Sequence, residues 1–138
     1  MRYPQGKNGT SYTVPAGTTD LRVNAFKGSV YLEEIALPTS LAVMGAGAMQ
    51  NCMGLRRVTM ADDIAMTAIP ENAFMNCYLL ADFNVADGIS AIGDNALAYC
   101  GKLTGIRIPD GVTSIGANTF SGCGALSIYG STGSYAQA

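Results

Sequence analysis

A unit of about 23 residues recurs five times along this chain, and that recurrence restricts the possible folds more than any other property of the sequence. The clearest copy holds Leu103, Ile106, Ile108, Pro109, Val112, Ile115, Gly116, Thr119, Phe120, Cys123 and Leu126. One unit earlier the same positions carry Leu80, Phe83, Val85, Ala86, Ile89, Ile92, Gly93, Ala96, Leu97 and Cys100. Before that come Leu55, Val58, Met60, Ala61 and Ile64, and the unit resumes at Ile69, Ala73, Phe74 and Cys77 after about two extra residues around Ala65–Ala68. The second unit has Leu32, Ile35, Leu37, Pro38, Leu41, Met44, Gly45, Ala48, Met49 and Cys52, and the first has Tyr12, Val14, Pro15, Thr18, Leu21, Ala25, Phe26 and Ser29. A single unit buries too few apolar side chains to offset the ordering of its own backbone. Stacking covers both faces of each apolar layer, so the units must cooperate as a solenoid.

Each coil is expected to open with a strand. In Ile106-Arg107-Ile108 the isoleucines point inward and the arginine outward, with the period of two that a strand imposes. The following proline suits a strand end, where ladder pairing stops. A second extended piece is expected at 112–115. Gly45, Gly93 and Gly116 read as tight corners that need positive φ. The residues after them, such as Ala117-Asn118-Thr119-Phe120, read as one turn of α- or 3₁₀-helix that places the aromatic ring in the core. Successive strands then form a parallel sheet on one face of a right-handed coil.

These positions resemble the BspA-like leucine-rich repeats, the Treponema pallidum type, whose unit reads roughly Leu-x-x-Ile-x-Ile-Pro-x-x-Val-x-x-Ile-Gly-x-x-Ala-Phe-x-x-Cys-x-x-Leu. The match is most specific in Leu103–Leu126 and good in Leu32–Leu55. It loosens where Ala61 stands for Pro and Pro70 for Gly, and the first unit has Arg22 and Ser29 in place of the Gly and Cys. The resemblance implies an α/β fold: a right-handed leucine-rich-repeat solenoid of about five 23-residue coils, with a parallel β-sheet face and short α or 3₁₀ turns. One domain then spans 1–138, with an N-terminal cap at 1–10, repeats at about 11–126 and a closing segment at 127–138. In the family that segment runs on into a short helix, which implies a terminus cut short here. Surface or secreted adhesins of host-associated bacteria and some protists carry such repeats. The resemblance therefore implies a non-enzymatic module that binds protein or glycan.

The remaining chemistry is sparse. Only 13% of residues are charged and the net charge is −2, which gives no electrostatic footprint for nucleic acid or an anionic membrane. No run approaches the roughly 20 apolar residues of a membrane-inserting helix. The N-terminus, Met1-Arg-Tyr-Pro-Gln-Gly-Lys7, lacks the apolar stretch of a secretory signal, so the residues alone are also compatible with a cytoplasmic location. On that footing an intracellular or phage scaffold, or a structural spacer with no ligand of its own, remains an alternative. Absence of histidine removes the commonest general base and the usual zinc sets. No cofactor is expected, and the carboxylates fall in turns or on outward positions, Asp62-Asp63 included. Cys52, Cys77, Cys100 and Cys123 share one repeat position, so they should stack as a ladder about 5 Å apart, read as buried structural thiols although the spacing would geometrically permit a disulfide between neighbours. Met44, Met49 and Met60 fall on core positions, whereas Met53, Met66 and Met75 fall off them and read as surface. Asn8-Gly9-Thr10 is a formal glycosylation sequon.

The outward strand positions form two columns: Ser11, Glu34, Arg57, Asp82 and Gly105, and Thr13, Ala36, Thr59, Asn84 and Arg107. Glu34, Arg57, Thr59, Asp82, Asn84 and Arg107 are the candidate partner-binding residues, with the two arginines suited to carboxylates. A solenoid end also exposes an apolar layer and strand edges, which invites weak end-to-end self-association.

Overall fold

The computed structural model describes residues 11–124 and 126–130. The expected cap at 1–10 with its sequon, and positions 131–138 of the closing segment, lie outside the described residues. In chain order the strands are β1 (Ser11–Thr13), β2 (Asp20–Leu21), β3 (Glu34–Leu37), β4 (Val43–Met44), β5 (Arg57–Met60), β6 (Ala68–Ile69), β7 (Asp82–Phe83), β8 (Ala91–Ile92), β9 (Gly105–Arg107), β10 (Ser114–Ile115) and β11 (Ser127–Tyr129). The odd-numbered strands belong to the first strand of each coil and the even-numbered ones to the second. All pairings are parallel: β1-β3-β5-β7 form one sheet, β9 pairs with β11, β2 with β4, and β6-β8-β10 form a fourth group. The chain is thus a parallel β-solenoid of about five turns, with β11 adding a further rung.

Register keeps equivalent residues in line, Ile35 opposite Val58 and Val58 opposite Phe83, so each inward column becomes a continuous apolar stack. Leu32, Leu55, Leu80 and Leu103 are fully buried, as are Phe26 and Phe74. Phe74 meets Phe83 edge-on with ring centroids 5.0 Å apart, a geometry that the ring quadrupoles favour. The extra residues in the third coil interrupt the second ladder between β4 and β6. They also place Met66 inside the core, 1% exposed, contrary to its expected surface position. Of the other two methionines read as surface, Met53 is exposed and Met75 half-buried.

The expected helical turns are not formed, and the described residues contain no helix, so the α part of an α/β description does not hold. The physical reason lies in the amides of the third flank. After each corner, alternate N–H groups close short turns within the coil, as Ala25 N–H to Arg22 O and Lys27 N–H to Asn24 O. The intervening ones donate instead to the next coil: Asn24 to Ala46 O, Phe26 to Ala48 O and Gly28 to Gln50 O at 3.0, 2.6 and 3.0 Å. Asn95, Leu97 and Tyr99 do the same to Ala117, Thr119 and Ser121. A helix needs every amide for its own ladder, so bonding forward precludes one. Left-handed residues at fixed points turn the peptides outward: Asn24, Asn72, Asn95 and Asn118 at one position, Asn51, Asn76 and Tyr99 at another, all with φ between 57° and 64°. Asparagine tolerates that region better than other side chains.

The corner glycines also act differently from expectation. Gly45, Gly93 and Gly116 are not among the residues with positive φ. Their role is close approach: a Cβ on Gly93 would lie 2.5 Å from the backbone N of Glu71 and 2.8 Å from the carbonyl carbon of Pro70. Gly93 N–H is bonded to Ile69 O at 2.7 Å, which holds the two coils at that separation. The first coil has Arg22 at this corner, and among the described residues no coil precedes it.

Candidate functional site

Strand alternation and register build the outward face together. Ser11, Glu34, Arg57 and Asp82 are successive Cα partners, as are Thr13, Ala36 and Thr59. On the other side of the face Ser127 aligns with Gly105 and Tyr129 with Arg107. Glu34, Arg57, Thr59, Asp82, Asn84 and Arg107 are all exposed, while Ala36 and Gly105 are half-buried.

The charged groups on this face are already paired with one another. Arg57 Nε donates to Asp82 Oδ2 at 2.8 Å, and its Nη1 lies 3.9 Å from Glu34 Oε1, so one guanidinium links three coils. Arg107 Nη1 reaches Asp87 Oδ1 at 3.1 Å, and Arg56 pairs with Glu33 at 3.2 Å along the strand starts. These side chains are between 40% and 61% exposed, where ion pairs contribute about 0–1 kcal/mol each. A partner can therefore exchange them at small cost.

Between β7 and β9 the first ladder opens. No backbone hydrogen bond joins these strands among the described residues, although their spacing in sequence is the ordinary 23, from Asp82 to Gly105. A shallow cleft of about 350 Å³ lies beside this opening, across the ends of β5, β7 and β9, lined by Met60, Ala61, Asp62, Asn84, Val85 and Arg107. The structure thus brings Asn84 and Arg107 of the sequence-derived set together and adds Asp62, while Asp87 holds Arg107 from outside the lining. Glu34, Arg57 and Asp82 sit apart from this cleft in the paired row, and Thr59 beside them. Sequence reading missed the cleft because every inward residue on both sides of it keeps the repeat pattern.

The four thiols form the expected ladder. Each is free and buried, and each S–H donates to a carbonyl of the preceding coil: Cys52 to Phe26 O, Cys77 to Met49 O, Cys100 to Phe74 O and Cys123 to Leu97 O, at 3.0–3.3 Å. Burial pushes Cys52 and Cys100 up to about 12, and Cys77 and Cys123 upward as well. For Cys77 the neighbouring sulfurs Cys52 and Cys100 add to the rise. Such groups hold their protons and offer no thiolate nucleophile at neutral pH. Ser29 occupies the same position in the first coil, and its buried Oγ has no partner among the described residues. No group of three or more histidine, cysteine or acidic side chains converges to hold a metal among the described residues.

A second exposed surface follows the thiols. Val30, Met53 and Tyr78, at 43–48% exposure, share one repeat position on the edge away from the sheet face.

Comparison with known proteins follows this architecture closely. A family profile described as BspA type leucine rich repeat region, in six copies, matches residues 4–127. A leucine rich cell surface protein from Faecalibacterium prausnitzii superposes with a TM-score of 0.89 at 33% identity, covering 99% of this chain and 35% of its own. The T. pallidum leucine rich repeat protein superposes at 0.83 with 27% identity, covering 92% of this chain and 60% of its own. The pneumococcal vaccine antigen PcpA, at 20% identity and a TM-score of 0.79, shares the fold over 96% of this chain and 33% of its own. The chain spans less than two thirds of the length of each of these proteins. No curated protein sequence matches it.

Proposed function

The chain belongs to the BspA-type leucine-rich-repeat family, and from that premise we propose that it is a non-enzymatic binding module taking a protein or glycan on the outward face of its first sheet. The observation that carries this reading is the register-matched row of exposed polar and charged side chains across successive coils, with Arg57 bridging Glu34 and Asp82. The row has mixed charge and no large apolar side chain, which suits a polar partner of either sign. The 33%-identical relative is a cell surface protein, and this supports a place at the cell surface or in a secreted adhesin. Weak end-to-end association belongs to the same reading. The amides of Asn118, Phe120 and Gly122 sit in the last of the described coils, at positions whose equivalents in earlier coils donate forward.

The test is capture from host extracellular-matrix and serum proteins, followed by the triple replacement of Arg57, Asp82 and Arg107 with alanine. Its melting temperature should stay within a few degrees of the parent, since the ion pairs are exposed. Affinity for a captured partner should fall at least tenfold, about 1.4 kcal/mol. Binding that survives this change but is lost on replacing Met53 and Tyr78 would put the site on the opposite edge. Binding to nothing, with the parent gene encoding a separate ligand domain, would favour a spacer.

A further inference from the structure

The open rung between β7 and β9 has the character of a site rather than a packing fault. At the first coil step Val14 N–H donates to Ala36 O at 3.0 Å, and at the last step Ile108 N–H donates to Tyr129 O at 2.8 Å. Two equivalent bonds, from Met60 to Asn84 and from Val85 to Arg107, are missing among the described residues, so the ladder parts from the end of β5 onward. The other flanks of the same step remain closed: β8 pairs with β10, and Asn95, Leu97 and Tyr99 all donate to the next coil. Only the outward face parts, and the groups at those missing bonds, Met60, Asn84, Val85 and Arg107, all line the cleft.

We propose that this cleft binds one neutral pyranose unit of a glycan, an assignment that rests on the sheet-face reading above. Its volume, about 350 Å³, falls at the small end of the roughly 300–1,000 Å³ range of ligand pockets. The polar groups around it are planar and of complementary kinds. Asp62 accepts, Asn84 both donates and accepts, and the Arg107 guanidinium donates while Asp87 holds it in place at 3.1 Å. Vicinal hydroxyls, each both donor and acceptor, match such a set. Charge selects the class. Asp87 already neutralises Arg107, and Asp62 leaves the cleft negative, which opposes an acidic sugar.

The experiment is a ¹⁵N-edited NMR titration of the full 138-residue chain with methyl β-D-galactopyranoside, methyl α-D-mannopyranoside, N-acetylglucosamine and N-acetylneuraminic acid. At least one neutral sugar should give saturable shifts centred on Val85, Gly105 and Arg107, with a Kd on the order of 1 mM. N-acetylneuraminic acid should give none. Asn84→Ala and Asp62→Asn should each weaken that Kd at least fivefold, whereas Arg56→Ala, outside the cleft, should leave it unchanged. A melting curve of each variant verifies that it is folded. No saturable shift with any neutral sugar, equal shifts with the acidic one, or shifts centred away from the cleft would each overturn the assignment. A protein partner captured on the sheet face without any sugar response sinks this inference alone and leaves the sheet-face reading intact.

Discussion

Replacing Gly93 with alanine tests whether the corner glycine serves close approach between coils. The added Cβ would stand 2.5 Å from Glu71 N, 2.8 Å from Pro70 C and 3.0 Å from Glu71 Cα, all backbone atoms of the third coil. Ordinary contact begins near 3.4 Å, so the coils must separate by several tenths of an ångström at least. That motion stretches the Gly93 N–H to Ile69 O bond of 2.7 Å and the neighbouring Asn72 to Asp94 bond of 2.9 Å. Overpacking of this kind costs about 1–3 kcal/mol, and lower freedom of the unfolded chain returns about 0.4–1 kcal/mol. The expected net loss is about 1–2 kcal/mol, read as a lower urea midpoint and a melting temperature lower by about 3–8 °C. Gly101 supplies the control, because a Cβ there meets nothing within 4 Å. Gly101→Ala should be neutral or stabilising by up to about 1 kcal/mol. A third variant separates the two possible reasons for glycine. Were positive φ the reason, Gly93→Asn would be tolerated better than Gly93→Ala, whereas under the contact argument it is at least as damaging. A Gly93→Ala protein as stable as the parent, or an asparagine variant more stable than the alanine one, would refute the reasoning.

Three further outcomes are expected. A thiol reagent should label few of the four cysteines in the native protein and all of them after unfolding, checked by intact mass; rapid labelling under native conditions contradicts the ladder. Because burial raises Cys52 and Cys100 from 9.0 to about 12, both states keep these protons below pH 9, and above it only the unfolded state releases them. Stability should therefore fall by about 1.4 kcal/mol per pH unit for each of these thiols between pH 9 and 12, and a Cys52→Ala/Cys100→Ala double variant should show a shallower fall in urea midpoint. Asn76 has φ of 64° and donates from Nδ2 to Asn51 Oδ1 at 2.8 Å, so Asn76→Ala should cost about 1–2 kcal/mol and Asn76→Gly less, measured by urea unfolding.

Much of this architecture was legible from local pattern. Ile106-Arg107-Ile108 alternates with period two, and register later aligned the equivalent inward residues Ile35, Val58 and Phe83 in one stack. The cysteines, at one repeat position, were bound to stack, and they do. The extra residues near Ala65 marked the place where the second ladder is interrupted. Reading failed where two local signals meant different things in context. A short polar stretch ending in Phe120 looks like a helical turn in isolation, yet equivalent stretches use half their amides on the next coil. Corner glycines look like left-handed residues, yet that conformation belongs to Asn72, Asn95 and their equivalents, two places along.

From its own residues the chain determined that it must coil, which side chains face inward and which columns face out, because repeat length and strand alternation are properties of neighbouring residues. The tertiary structure alone decided how near one coil comes to the next, since that distance joins residues about 23 positions apart. That separation places glycine against Glu71 N, sends the Asn24 and Asn95 amides forward, and pairs Arg57 with Asp82. It also leaves the first ladder open between β7 and β9, where backbone separation rather than residue type determines whether a hydrogen bond closes.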